Sequence, residues 1–554
     1  MWTFRTITGN TLLSGSAWLL FCSLSGFCRT GSRLRSWRNS MQAYKQLEGR
    51  FAQVTALREI ASFMSWDRSV LMPEAAVNQR ARQMEVLNVL IHDLQTDSEV
   101  GALLAKTDRK NLDPWQAANL DVMEWLYQHA TAVPAHLVAK KMNQETKTEV
   151  IWRKARADSN FKMVQDELAR LLDIVREHAD VKSKKLKKPL YDSLMDGYAP
   201  HMTSAEVDVV FDDLAAFIPP FLTAALERQK EPLPLKGPFP QAVQEKLGRD
   251  LCGFLGFDFK WGRLDTSTHP FSMGIGDDVR ITTRYDENDF LSSLQAVAHE
   301  AGHGFYDRHT PREWHHQPVG ASGNMGMAIH ESQSLSLDMQ LARSREYWEF
   351  LTPHIQKTFG KSGPEWTAEN IYRNAIKAER GFIRVEADEI TYPAHVILRY
   401  RLEKKMVEGK LEVKDLPEAW NASMKELIGA VPPNDKLGCL QDIHWYSGAF
   451  GYFPSYALGA IIAAQLVDKM KRDIPDVAAQ VRQGNIGVFT GWLRDNVQAK
   501  ACLYRPQQLV EKATGQKMST HFFKKHLTER YLEKAYEGEG SCSNTSAPGA
   551  KRRA

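Results

Sequence analysis

His299-Glu300-Ala301-Gly302-His303 sets two histidines four residues apart, with a carboxylate directly after the first. On a helix, positions i and i+4 share a face, so both imidazoles can offer a nitrogen to one Zn2+. Such an ion lowers the pKa of a bound water to about 7 and polarises a scissile carbonyl. Glu300 stands where it can take that water's proton. With 17 histidines in 554 residues, about 0.03 matches to this pattern arise by chance, so the motif carries weight. Ten of those histidines fall between His269 and His444, which makes that region the place to look for partners.

A zinc site needs a third protein ligand, and two residues compete. His309 completes a longer histidine spacing, but Tyr306 occupies the position where a chain-turning glycine is required. Glu331, in His330-Glu331-Ser332-Gln333-Ser334, lies on a helical segment expected from Met327 to about Arg343. An antiparallel return of that segment brings its carboxylate to the metal, and this favours Glu331.

The elements that must position these groups are mostly helical. Phe290, Leu291, Leu294, Val297, Ala298, Ala301 and Phe305 form the buried side of the motif helix, with Asn288 or Asp289 as its cap. From Gln42 to about Ala199 the pattern is helical almost throughout. Tyr44, Leu47, Phe51, Val54, Leu57 and Ile60 form one apolar stripe, and Val164, Leu168, Leu171, Leu172 and Val175 form another. Thr203 followed by Glu206 signals a helix start, and four prolines within Glu231 to Pro240 dictate a loop. Asp278 to Tyr285 alternates and is β-branched, so it reads as a strand. Helical periodicity then continues to about Tyr536, without an internal repeat.

Composition narrows the function classes. Hydrophobic residues make up 43% and charged residues 25%, which excludes collagen, low-complexity scaffolds and multi-span membrane proteins. Net charge is +4, but residues 1–40 hold five arginines and no acid, and Lys551, Arg552 and Arg553 end the chain. Without those eight charges the body is mildly acidic, which argues against nucleic acid as a partner. Six scattered cysteines with no C-x-x-C pair form no disulfide framework and suit a reducing compartment. The apolar run from Ala17 to Leu24 is too short to span a membrane. Residues 1–40 are therefore an extension, dispensable or a targeting peptide, and 538–554 a disordered tail. A cytoplasmic location is expected, or an organelle if the extension directs import.

Six ordered motifs resemble those of the M32 metallocarboxypeptidases. They are His269-Pro270-Phe271, DVRIT at 278–282, HEAGH at 299–303, HESQS at 330–334, IRVEAD at 383–388 and GCLQDIHW at 438–445. The resemblance runs from about Met41 to Tyr536, which frames 41–537 as one catalytic domain. It implies removal of single residues from peptide C-termini with one zinc per subunit, with Co2+ or Mn2+ as substitutes, in a homodimer. His299, His303 and Glu331 become ligands and Glu300 the general base. Arg384, and less directly Arg280, would bind the free carboxylate of the substrate, for which a bidentate guanidinium is suited. His269, His444 and Tyr452 are candidate substrate or transition-state contacts, with Gln441 and Asp442 orienting their neighbours. The expected fold is mainly α: an elongated, zincin-type helical body with a deep groove and a small β-sheet beside the motif helix. Two rivals are a metallo-oligopeptidase that cuts internally and a helical binding scaffold without activity. An aminopeptidase fits less well, because Gly323-Asn324-Met325-Gly326-Met327 lacks the glutamate of an amine-binding G-x-M-E-N motif.

Overall fold

The computed structural model describes residues 25–532, with side chains from Arg35 onward, so the 538–554 tail and most of the extension lie outside the described residues. The first helix, α1 (Ser25–Val70), runs through residue 40 without a break. Ser40 is buried there, and its hydroxyl accepts a hydrogen bond from the Asp108 amide at 2.8 Å.

Tyr44, Leu47, Phe51 and Val54 of α1 are buried as the stripe predicts, whereas Ile60 is 49% exposed. The stripe ends because the helix changes neighbours. Arg58, Glu59 and Ser62 line a cavity of about 630 Å3, shared with Met273 and Gly274 of the sheet and with Asp307 and His330.

The helix Ser204–Arg228 begins in a capping box in which Thr203 and Glu206 bond each other's backbone amides. It is long and apolar enough to cross a bilayer by composition. Its apolar side packs into the core, with Val207, Phe211, Leu214, Ile218 and Leu222 buried. Three of its acids are paired: Asp208 with Lys404, Asp212 with Arg401, and Asp213 with Lys524.

The sheet has three strands rather than the single one expected: β1 (Gly262–Thr266), β2 (Ser272–Ile275) and β3 (Asp278–Thr283), in the order β1-β3-β2. β1 pairs with β3 in parallel and β2 pairs with β3 antiparallel. β1 and β2 are too short and too mixed in burial to alternate visibly in sequence. Val279 and Ile281 face the motif helix α2 (Phe290–His309), capped by Asp289, whose side chain accepts from the Leu291 and Ser292 amides. A Cβ on Gly304 of α2 would lie 2.6 Å from Val279 Cγ1, so the helix seats directly on the strand. Arg280 points to the opposite face, as strand alternation requires.

The segment expected as one helix from Met327 to Arg343 is two structures. An α-helix, α3 (Met327–Leu335), passes into a π-helical turn at Ser336–Leu341. The wide turn is marked by Ala342 N–H donating to Leu337 O at 2.7 Å, five residues back. Two further buried helices, α4 (Thr391–Val407) and α5 (Pro454–Asp473), complete the wall around α3.

Candidate metal centre

Gly302 decides how closely the two ligand-bearing helices approach. A Cβ there would stand 2.5 Å from Gln333 O and 2.6 Å from Ser334 Cα, so only glycine lets α2 lie against α3 at this distance. On the other side, a Cβ on Gly459 of α5 would come 2.7 Å from Glu331 Cγ. Glycine thus lets α2 close on the α3 backbone just past Glu331 and lets the Glu331 side chain lie directly on α5.

The result is a buried triad. One ligand atom from each of His299, His303 and Glu331 lies within 4.8 Å of the others. Glu331 Oε2 is 3.2 Å from His303 Nε2 and 3.8 Å from His299 Nε2. Bonds of 2.0–2.1 Å in a tetrahedron imply ligand–ligand edges of about 3.3 Å, so the donor set fits a divalent ion. Two imidazole nitrogens and one carboxylate oxygen suit zinc, cobalt or manganese.

Each histidine is held from behind. His299 Nδ1 faces Asp338 Oδ2 at 3.5 Å, and Asp338 sits on the π-helical turn. His303 Nδ1 lies 2.6 Å from His330 Nδ1, and His330 Nε2 lies 3.0 Å from Asp307 Oδ1. If His303 Nε2 keeps its lone pair for an ion, its Nδ1–H donates to His330, whose Nε2–H donates to Asp307. Asp307 in turn accepts from the Ser322 hydroxyl. Glu331 accepts from the Tyr392 hydroxyl at 3.1 Å and the Ser334 hydroxyl at 3.2 Å. These outer contacts fix tautomer and ring orientation.

The four titratable groups of the site are shifted in different directions. Burial pushes the Glu300 carboxyl up to about 7, with His299 pulling the other way. Burial also drives His303 down to about 4. At His299 burial opposes protonation, but Glu331 and Asp338 overcome it and raise the imidazole to about 10. Glu331 is held near 2, because His299 and His303 outweigh its burial. Among the described residues, Glu300 accepts no hydrogen bond, so its carboxylate is uncommitted.

A second buried cluster adjoins this one. Asp442 accepts from Arg384 Nη2 at 2.8 Å and from Arg399 Nε at 2.6 Å. Burial would raise Asp442, but the two guanidinium groups hold it well below the usual carboxylate range. Gln441 accepts from the Arg384 amide and from Arg399 Nη2. The Arg384 guanidinium lies over the Tyr456 ring, 4.6 Å from its centroid. The His444 ring lies tilted against Phe453 with centroids 4.5 Å apart, its Nε2 is 3.3 Å from the Tyr456 hydroxyl, and its buried Nδ1 faces Asp442 Oδ1 at 3.9 Å without a hydrogen bond. Burial, with Arg384 adding to it, lowers His444 to about 4. Tyr452 packs edge-on against Tyr456 and Tyr198. Tyr392 links the clusters, bonding Glu331 with its hydroxyl while its ring meets Tyr456 at 6.4 Å.

Three predicted residues lie outside both clusters. Arg280 bonds Asp278 through Nε and Nη2 and lies over Phe63 and Trp66 of α1. His269 is exposed in the connection from β1 to β2. His309 stacks on Phe305 and bonds Gln498 Oε1 through Nδ1 at 2.7 Å, which removes it from the ligand contest.

A family model described as Carboxypeptidase Taq (M32) metallopeptidase matches residues 46–531. The chain belongs to the M32 metallocarboxypeptidases. It is 33% identical over 503 residues to thermostable carboxypeptidase 1 of Thermus thermophilus, covering 88% of this chain and 98% of that one. Carboxypeptidase 1 of Bacillus subtilis is 30% identical over 486 residues, 86% of this chain and 96% of the relative. Among solved structures, Trypanosoma cruzi metallocarboxypeptidase 1 superposes with a TM-score of 0.86 at 34% identity, covering 89% of this chain and all of that one. The M32 carboxypeptidase of Deinococcus radiodurans gives 0.84 at 32%, with 89% and 99% covered. As an M32 member the chain is an enzyme, a metallocarboxypeptidase.

Sequence reasoning missed Asp338, Asp307, Tyr392, Tyr456 and Arg399. His330 was inside a recognised motif, and only its contact with His303 shows what it does. Asp307 stands one turn after His303 on the motif helix, while Asp338, Tyr392, Arg399 and Tyr456 reach the site from the π-helical turn, α4 and α5.

Proposed function

We propose that this M32 enzyme hydrolyses the last peptide bond of a substrate, releasing one C-terminal residue per cycle. Two adjoining buried clusters with opposite electrostatic needs carry the proposal. The triad gathers lone pairs. The Arg384 cluster sets two guanidinium groups against one carboxylate, Asp442, and among the described residues Arg384 Nη1 makes no hydrogen bond. A peptide's terminal carboxylate answers that surplus positive charge.

A divalent ion held by His299, His303 and Glu331, zinc by preference, would supply Lewis acidity toward the scissile carbonyl and acidify the attacking water. Glu300 removes a proton from that water and hands it to the departing amine, a task suited to a carboxyl raised to about 7. Arg384, held in place by Asp442 and by the Tyr456 ring, fixes the substrate carboxylate and so sets which bond lies over the triad. A homodimer, as the resemblance implies, is part of this proposal, and sedimentation velocity tests it.

The deciding experiment uses one peptide as free acid and as C-terminal amide, with zinc-loaded enzyme and with Glu300→Gln. Stepwise loss of single residues from the free acid alone, abolished in the variant, is the expected result. Equal cleavage of both forms would make the protein an internal cutter and take the carboxylate role from Arg384.

A further inference from the structure

His299 is oriented by Asp338, and Asp338 stands on a π-helical turn whose carbonyls need donors from elsewhere. They come from the last described helix, α6 (Thr520–Leu532). Arg530 Nη1 donates to Met339 O at 2.6 Å and Arg530 Nη2 to Gln340 O at 3.3 Å, the two residues directly after Asp338. The same Nη1 donates to Glu389 Oε2 at 2.6 Å. Glu389 is wholly buried and also contacts the Tyr531 hydroxyl at 3.0 Å and His526 Nε2 at 2.9 Å. On the inner side Arg343 Nε lies 3.4 Å from Asp338 Oδ1. Charges thus alternate inward from α6, with Arg530 on Glu389 and Arg343 on Asp338.

Buried ion pairs of this kind add little net stability over apolar packing of equal volume. Folding alone therefore gives no account of this network. Its inner end does, because among the described residues Asp338 is the carboxylate set behind His299 Nδ1. We infer that Arg530 is a positioning residue for the metal ligand His299. It pins the turn that carries Asp338, and Glu389 aims its guanidinium.

This rests on the triad's being a metal site, and the test separates the two. Zinc affinity of the full chain is measured by chelator competition, with circular dichroism to verify folding. Asp338→Asn weakens zinc binding by about 10- to 100-fold and Arg530→Met by about tenfold, the range for outer-contact residues of a metal ligand. Adding Arg530→Met to Asp338→Asn causes no further loss, since one acts through the other. Unchanged affinity in Arg530→Met, or multiplying losses in the double variant, would overturn the inference and leave a structural ion pair. If Arg530→Met does not fold, Tyr531→Phe, which removes one hydrogen bond from Glu389, should weaken zinc slightly, and only where Asp338 is intact. A wild-type chain without zinc affinity would sink the metal reading itself.

Discussion

The triad and the Arg384 cluster lie side by side, both buried, and were assembled in different ways. Two triad ligands sit one turn apart on a single helix, so their geometry follows from the chain's local period. The third comes from a helix whose approach is permitted by Gly302. The Arg384 cluster is assembled over long range: Arg384, Arg399 and Asp442 come from three separate segments and meet through Asp442 and its neighbour Gln441. Their charge states differ as well. The triad leaves carboxylates and imidazoles competing for protons, while the arginine cluster holds a surplus cation that burial lowers to about 10 at Arg399. One region waits for a cation and the other for an anion, which is what a peptide's end brought to a metal requires.

The comparison can be broken most sharply at Glu300. Glu300→Gln should lower kcat/KM by about 10^2- to 10^4-fold while metal content, read by atomic absorption, stays at the wild-type level. If metal is lost too, Glu300 belongs to the ligand set and the division of labour fails. Arg384→Met tests the other cluster. It should cost about 10- to 100-fold in kcat/KM on free-acid peptides, as expected for hydrogen bonds to a charged group, and leave amides as poor as before. A smaller loss on amides than on acids is the signature, and equal losses would reduce Arg384 to packing.

A third prediction sharpens the charge contrast. His299 is raised to about 10 without the ion, so at neutral pH its proton must leave when metal binds. The proton and the ion compete, so affinity should rise as pH rises, by about tenfold per unit for one proton, and flatten near pH 10. Below about 7, protonation of Glu300 adds to the loss of activity. Calorimetry in buffers of different ionisation enthalpy counts the released protons, and none released would contradict the raised His299.

Gly302→Ala asks whether helix approach sets the triad. Overpacking should cost about 1–3 kcal/mol of stability, seen as a lower Tm, with weaker metal binding. A lower Tm with unchanged affinity would show that Glu331 reaches the site by another route. The smallest effect belongs to His309→Ala. It should lose about 1 kcal/mol with the Gln498 hydrogen bond and leave metal content intact.

What the sequence by itself determined is whatever a short-range period encodes. The pairing of His299 with His303, the caps at Thr203 and at Asn288 or Asp289, the proline loop and the apolar stripes all depend on residues within a few positions of each other. The strand at Asp278 was legible because its central residues are buried on β-branched side chains. β1 and β2 were not, since their pairing with β3 is supplied by the fold. The ordered motifs pointed to Glu331 and Arg384 as candidates, but spacing could not show how either reaches its place. That was decided in three dimensions. The π-helical turn breaks the expected helix, sets Asp338 against His299 and turns the next carbonyl toward Arg530. Arg280 looked equivalent to Arg384 as a guanidinium in a motif, yet Asp278 and two aromatic rings claim it. A side chain's chemistry is written in its residue type, but its availability depends on which neighbours the tertiary structure brings within hydrogen-bonding distance.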